Sequence, residues 1–347
     1  MATRSGGNGN SACNLRVAEH SADPAHSRKR KTAITKAVLP AMARPLIEPH
    51  LPAGLDVHWF ASREEAVAGA KDAEIGWLDM NDKTAMRAAL DGAAHLKWLS
   101  TIYAGLDHFP IEKLIREGVM LTNGVGINTI SVAEYAVLGM LALAKRYDEV
   151  VRLADRHAWT DSPPGNRELY ESKALILGYG AIGAAIGDRL RAFGVEVTGV
   201  ARSPRPDQGV IGQDDWRARL GEFDWLVIAL PSTSETEQLI RQQEFDAMKT
   251  GALLCNIARG DILDQDALIA ALKGGRLAGA YLDVTDPEPL PADHPLWDAP
   301  NTLHSMHLSG RSTQKMFQRA GALFLENLKR YLAGEPMQNV VDLDRGY

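Results

Sequence analysis

Residues 173–205 read KALILGYGAIGAAIGDRLRAFGVEVTGVARSPR. The apolar run 174–177 predicts a short buried strand, and Gly178, Gly180 and Gly183 follow it in the spacing G-x-G-x-x-G. A helix is expected over about residues 182–193, stopped by Gly194, and residues 195–200 (VEVTGV) predict a second, parallel strand. Strand, glycine-rich turn, helix and return strand make the βαβ unit that binds dinucleotides. Gly178 lets the chain turn sharply out of the strand, and Gly180 removes the side chain that would hold the backbone away from a pyrophosphate. Gly183 lets helix and strand pack closely, and the helix start offers unpaired N–H groups and a positive dipole end to the phosphates. Without its strand and helix, the same spacing would be only a conformational turn.

The end of the second strand bears on the choice of cofactor. An acid roughly 20 positions past the first glycines would hydrogen-bond the adenosine ribose 2′-OH of NAD. That place is held by Ala201, followed by Arg202, Ser203 and Arg205, while Glu196 lies too early to reach a ribose. Two guanidinium groups and a hydroxyl suit a 2′-phosphate, which wants charge-assisted donors. NADP(H) is therefore the expected cofactor, with NAD(H) possible; a solvated basic loop is the bland alternative.

The chain has 347 residues, enough for two domains, and a net charge of −6, which argues against general nucleic-acid or acidic-membrane binding. Cys13 and Cys255 are far apart and have no metal-ligand or redox spacing, so no metal is expected; Cys255, in an apolar run, is expected to be buried. The apolar run 130–144 contains Glu134 and falls short of the roughly 20 residues a membrane span needs. No secretory apolar region stands near the N-terminus, and a reducing cytoplasm is the expected location. Residues 1–33 are rich in Ser, Gly, Asn, Ala and basic residues and read as a disordered tail, with Arg28-Lys29-Arg30-Lys31 a solvated basic run.

Before the fingerprint, strands are expected at 37–39, 55–60, 73–78 and 96–101, and helices at about 41–48, 63–69 and 83–91. Strands alternating with helices mean a parallel sheet with helices over its faces. Two loops there look functional: residues 103–107 (YAGLD), directly after a strand, and the glycine-rich 122–128 (TNGVGIN). The second leads into a helix over about 131–145, where Ser131 and Glu134 have the spacing of a capping box. Beyond the fingerprint, strands are expected at 225–231, 252–257, 279–284 and 302–304, a helix at 265–272, and a closing helix at about 313–332 whose apolar face packs back on the first domain.

Four motifs in this order carry a family resemblance: residues 177–183, the run Asn256-Ile257-Ala258-Arg259-Gly260, residues 279–290, and His307 with its flanks. The chain resembles the D-isomer-specific 2-hydroxyacid dehydrogenases from Lys36 to the C-terminus. The resemblance implies an α/β fold of two Rossmann-like domains with parallel sheets and the active site in the cleft between them. Residues 34–130 and 312–347 would form the discontinuous substrate domain and 131–311 the dinucleotide domain, in a homodimer. It implies reduction of a small 2-oxo acid, glyoxylate or hydroxypyruvate in type, with Arg259, Glu288 and His307 catalytic. Histidine titrates near neutrality and can donate the proton; a carboxylate partner favours its imidazolium form, and a planar guanidinium can grip the substrate carboxylate.

Tyr103, Ala104 and Gly105, with Arg259 and His307, are the expected substrate-binding residues. The expected cofactor site comprises Gly178, Tyr179, Gly180, Ala181, Ile182 and Gly183, then Arg202, Ser203 and Arg205, then Leu230, Pro231 and Thr236, then Ile257 and Ala258, and finally Asp283, His307, Ser309 and Gly310. Departures from the family pattern are Met306, where a proline usually precedes the histidine, and Thr285, where an aromatic residue usually follows Asp283-Val284. Met306 is expected to loosen the preset turn before His307. The alternative from another class is a corepressor-like protein that senses the cofactor on the same fold.

Overall fold

The structure is a computed structural model in which residues 34–80, 82–106 and 109–343 are described; the tail of residues 1–33, and Asp107 of the first functional loop, lie outside them. Strands β1 (Thr35–Pro40), β2 (Leu55–Phe60), β3 (Ile75–Trp77), β4 (Trp98–Ser100) and β5 (Met120–Thr122) form a parallel five-stranded sheet in the order β2-β1-β3-β4-β5. Strands β6 (Lys173–Leu177), β7 (Glu196–Val200), β8 (Val210–Ile211), β9 (Trp225–Ile228), β10 (Ala252–Asn256), β11 (Leu277–Leu282) and β12 (Thr302–His304) form a parallel seven-stranded sheet in the order β12-β11-β10-β9-β6-β7-β8. Both are doubly wound, and each has one place where the strand order reverses, between β1 and β3 and between β6 and β9. Ligands of open α/β sheets bind outside the carboxyl ends of the strands at such points.

The helices are α1 (Arg44–Ile47), α2 (Arg63–Ala70), α3 (Lys83–Asp91), α4 (Ile111–Glu117), α5 (Thr129–Lys145), α6 (Tyr147–Asp155), α7 (Ala181–Ala192), α8 (Gln242–Ala247), α9 (Gln265–Lys273) and α10 (Thr313–Ala333). The helix expected over 41–48 is broken into a 3₁₀ turn, the four-residue α1 and a second 3₁₀ turn, with Pro45 and Pro49 each in the first turn of its piece. The capping box expected of Ser131 and Glu134 does not form. Helix α5 starts two residues earlier, at Thr129, and Ser131 instead donates from Oγ to the Ser309 carbonyl at 2.5 Å.

Helix α10 packs back on the first sheet. Phe324 stacks on Trp98 at 5.2 Å between ring centres and meets Trp77 at 5.4 Å, with Ala320 and Leu328 buried beside it. Helix α5 lies close on the second sheet: a Cβ on Gly139 would sit 2.2 Å from the Tyr281 ring, so only glycine allows this approach. Cys255 is buried among the strands of that sheet.

Candidate active site

The second sheet brings the sequence motifs together by register. Leu177 pairs with Ile228, Ile228 with Asn256, Asn256 with Leu282, and Leu282 with His304. Each is the last residue of its strand, so β6, β9, β10, β11 and β12 end on one rung. The fingerprint turn, residues 229–231, the N-x-x-R-G run, residues 283–288 and the His307 loop therefore all leave the sheet on the same edge.

At the strand-order reversal, Gly178 has φ +90° and a Cβ there would lie 2.5 Å from the Ala229 carbonyl oxygen. Gly183 is equally constrained, since its Cβ would meet the Gly178 carbonyl oxygen at 2.1 Å. Gly180 is different. It has φ −83°, open to any residue, and a Cβ would find nothing within 4 Å. Nothing within the protein requires a glycine here, whereas a phosphate approaching the start of α7 would. The turn, the helix start with Ala181 and Ile182, and the open space over Gly180 thus fit a dinucleotide.

Tyr179 turns inward, its ring filling the space left by Gly187 and Gly199, and Arg191 donates to its hydroxyl at 2.8 Å. Arg205 reaches back to the same turn, donating from Nη2 to the Tyr179 carbonyl at 3.0 Å. Arg202, Ser203 and Arg205 are all exposed at the end of β7. Across the reversal, Leu230 and Pro231 follow β9, but the Thr236 hydroxyl turns into its own loop and donates to the Pro231 carbonyl at 2.7 Å. Ile257 and Ala258 are buried at 7% exposure, just past β10.

Asp283 builds the loop that carries His307. One carboxylate oxygen accepts from Ser305 Oγ (2.7 Å), Leu308 N (3.1 Å) and Ser309 N (3.3 Å), the other accepts from Ser309 Oγ, and its carbonyl accepts from His307 N. Met306 and His307 have φ +53° and +54°. A proline, locked near −65°, cannot take that conformation, so Met306 does not act as a loosened proline: the loop follows a different path, pinned by Asp283. Gly310 lies against Asn128, whose Oδ1, like Thr129 Oγ1, is buried without a hydrogen-bond partner in the protein.

His307 Nδ1 lies 2.7 Å from Glu288 Oε2, and Glu288 Oε1 accepts from Thr285 N at 3.1 Å. Burial pulls the Glu288 carboxyl upward; the His307 hydrogen bond and charge, the Thr285 N–H and Arg259 outweigh it and hold it below the usual carboxylate range. Arg259 is half-buried and donates from Nη1 to the Ala258 carbonyl at 2.7 Å. The nearby His304 is engaged elsewhere: it packs on Trp297, its Nε2 sits 3.3 Å from the Leu296 carbonyl oxygen, and burial lowers its pKa.

At the reversal of the first sheet lies a cavity of about 430 Å³, walled in part by Pro40, Trp77, Ile102 and Tyr103. Tyr103 is 37% exposed, and its hydroxyl is raised by burial and by Asp79, with Arg311 opposing. The Tyr103 carbonyl accepts from Gly124 N at 2.9 Å, and the Ala104 carbonyl from Asn123 Nδ2 at 3.2 Å, so the functional loops expected at 103–107 and 122–128 brace each other; Gly105 follows at half exposure. Asp79 and Thr129 have no place among the sequence expectations, and Asn128 enters them only as the last residue of the 122–128 loop. A carboxylate directly after the strand expected at 73–78 is the available signal for Asp79.

A sequence model of the NAD-binding domain of the D-isomer-specific 2-hydroxyacid dehydrogenases matches residues 137–309. The glyoxylate reductase/hydroxypyruvate reductase of Homo sapiens is 35% identical over 289 residues, covering 81% of this chain and 86% of that protein. The chain belongs to the D-isomer-specific 2-hydroxyacid dehydrogenase family. It is an NAD(P)-dependent oxidoreductase of that family. A D-3-phosphoglycerate dehydrogenase of Methanocaldococcus jannaschii is 30% identical over 81% of this chain and 54% of that protein. Among solved structures, a D-isomer-specific 2-hydroxyacid dehydrogenase family protein from Aeromonas salmonicida superposes with a TM-score of 0.80 at 29% identity, covering 89% of this chain and 99% of the other. Among the described residues no helix is long and apolar enough to cross a membrane, and no group of three or more metal-ligating side chains occurs.

Proposed function

We propose that this protein reduces a small 2-oxo acid, glyoxylate or hydroxypyruvate in type, to the D-2-hydroxy acid, with NADPH the preferred reductant and NADH accepted. The observation that carries this reading is the His307–Glu288 pair at 2.7 Å, held in a loop pinned by Asp283 and within electrostatic reach of Arg259. When bound, the nicotinamide supplies a hydride to C2 of the substrate. The Arg259 guanidinium grips the substrate carboxylate and polarises its C2 carbonyl, helped by the N–H groups of Ala104 and Gly105. Glu288 accepts from Nδ1–H of His307, which fixes the ring, so the proton delivered to the carbonyl oxygen is the one on Nε2.

The cofactor's phosphates would lie on the α7 start over Gly180, and the 2′-phosphate against Arg202, Ser203 and Arg205. Asp283, Ser309 and Gly310 would shape the nicotinamide end through the His307 loop; Ile257, Ala258, Leu230 and Pro231 would wall the cofactor cleft, with Thr236 holding the Pro231 turn.

We further infer a homodimer. Helix α6 buries none of its residues, and Tyr147, Val150 and Val151 stand 59%, 38% and 43% exposed on it, an apolar stripe suited to a second copy. The direct test is oxidation of NADPH and NADH with glyoxylate and hydroxypyruvate. Turnover with NADPH at lower KM supports the reading, and no oxidation with any 2-oxo acid overturns it in favour of a cofactor-sensing role.

A further inference from the structure

The first-sheet cavity has a chemistry that the reading above leaves unused. Its walls are apolar, with Phe60, Trp77, Met80, Ile102 and Phe317 among them, and Tyr103 at its edge ties it to the candidate substrate loop. Its volume of about 430 Å³ is far more than a hydroxymethyl group fills. Set into this wall is Asp79, two residues past β3 and in register with Ile102 past β4. Asp79 Oδ2 accepts from Trp77 Nε1 (2.8 Å) and from Ile102 N (2.6 Å), and Oδ1 accepts from Thr101 Oγ1 (2.6 Å). Thr101 Oγ1 in turn accepts from Tyr103 N at 3.1 Å. The carboxylate therefore orders the strand end from which residues 103–105 depart. Asp82 also lines the cavity, exposed and engaged in capping α3; among the described lining residues the one cation is Arg63, exposed at the start of α2.

Resting on the 2-oxo acid reading, we propose that this cavity receives the substrate's C3 substituent and that Asp79 is its specificity-determining residue, admitting uncharged, mainly apolar substituents up to aromatic size and rejecting anionic ones. A phosphate or carboxylate brought within about 5 Å of this half-buried carboxylate meets repulsion worth about 30-fold in binding at pH 7.5, the limit at which Asp79, pushed up to about 6 by burial, takes a proton instead. The protein differs in this from what a phosphorylated substrate requires, a cluster of cations at the same place.

The test uses the full chain with NADPH and compares kcat/KM for phenylpyruvate and oxaloacetate in the native protein, Asp79→Asn and Asp79→Ala. Asparagine can keep every partner, accepting from Trp77 and Ile102 through Oδ1 and donating to Thr101 through Nδ2, so it removes the charge alone. At pH 7.5 the native enzyme is expected to favour phenylpyruvate by about 30-fold or more, and Asp79→Asn to narrow that ratio at least tenfold. Asp79→Ala, which also frees the Ile102 N–H, raises KM for both substrates. An unchanged ratio in Asp79→Asn, or a native preference for oxaloacetate, overturns the proposal while leaving the 2-oxo acid reading intact. If no 2-oxo acid is reduced by the native protein, that reading fails and this inference falls with it.

Discussion

Two glycines three residues apart should respond in opposite ways to the same substitution, and the difference separates folding from cofactor binding. At Gly183 a methyl group would sit 2.1 Å from the Gly178 carbonyl oxygen, which is backbone, and 3.3 Å from Cγ2 of the buried Ile176 side chain. The helix must shift, and such overpacking costs about 1–3 kcal/mol or more. At Gly180 the added methyl meets nothing within 4 Å. Losing glycine at a helix N-cap costs about 1 kcal/mol, and the stiffer unfolded chain returns about 0.4–1 kcal/mol, so Gly180→Ala should be nearly neutral for stability. Its effect falls on the ligand. A phosphate must come within about 3 Å of the backbone N–H groups of α7, and the methyl stands in that path. Loss of one charge-assisted hydrogen bond, about 2–3 kcal/mol, raises the NADPH dissociation constant roughly 30- to 140-fold. Differential scanning fluorimetry and NADPH fluorescence titration measure the two quantities. Gly180→Ala should melt within about 3 °C of the native protein and bind poorly, and Gly183→Ala should melt several degrees lower. A Gly180→Ala protein that binds NADPH within threefold of native refutes the reasoning.

Glu288→Gln removes the carboxylate beside His307 while keeping a hydrogen-bond acceptor; kcat for reduction should fall about 10- to 100-fold in steady-state assays, with the NADPH dissociation constant nearly unchanged. Arg205→Ala should weaken NADPH by about tenfold and NADH by less than twofold in paired titrations, since only the former carries a 2′-phosphate. Burial pushes the Asp79 carboxyl up to about 6 from 3.8 in the unfolded chain, so between those values the folded state holds a proton that the unfolded state releases. Its charge therefore destabilises the fold above pH 6 and ceases to do so as pH falls toward 4; Asp79→Asn should be more stable than native at pH 7.5, by up to about 3 kcal/mol in urea unfolding, with the gap closing near pH 4. Val151→Asp, placed on the apolar stripe of α6, should halve the mass seen by sedimentation.

Most of the fold was legible because its signals are local. Apolar runs of four to six residues separated by helical stretches announce a parallel sheet, and the closing helix showed the apolar face that now lies on Trp77 and Trp98. Helix α4, absent from the sequence expectations, carries equally local signals: it starts directly after Pro110 and ends at Gly118, which has φ +64°. Helix α6 is hidden for the opposite reason, since its apolar residues face outward and mark no core. The Ser131–Glu134 spacing misled because Ser131 is claimed by Ser309, 178 residues away, and no local pattern records that.

The same distinction governs the site. Arg259, Glu288 and His307 could be named from motifs, yet what places them is the shared rung on which β6 and β9 to β12 end, a property of strand register rather than of any motif. Backbone conformation at Met306 and His307 follows from hydrogen bonds to Asp283, 23 or more residues earlier, so the local sequence suggested only a missing proline. Asp79 repeats the pattern in the first sheet: register carries Ile75 opposite Trp98 and Trp77 opposite Ser100, so the residue two past β3 faces the residue two past β4. In each sheet a carboxylate just beyond one strand ties down the loop leaving its neighbour, Asp283 the loop of His307 and Asp79 the loop of Tyr103. Asp283 has all of its partners on one side of the cleft and serves geometry alone, whereas Asp79 also lines a cavity, and there its charge acts on whatever enters.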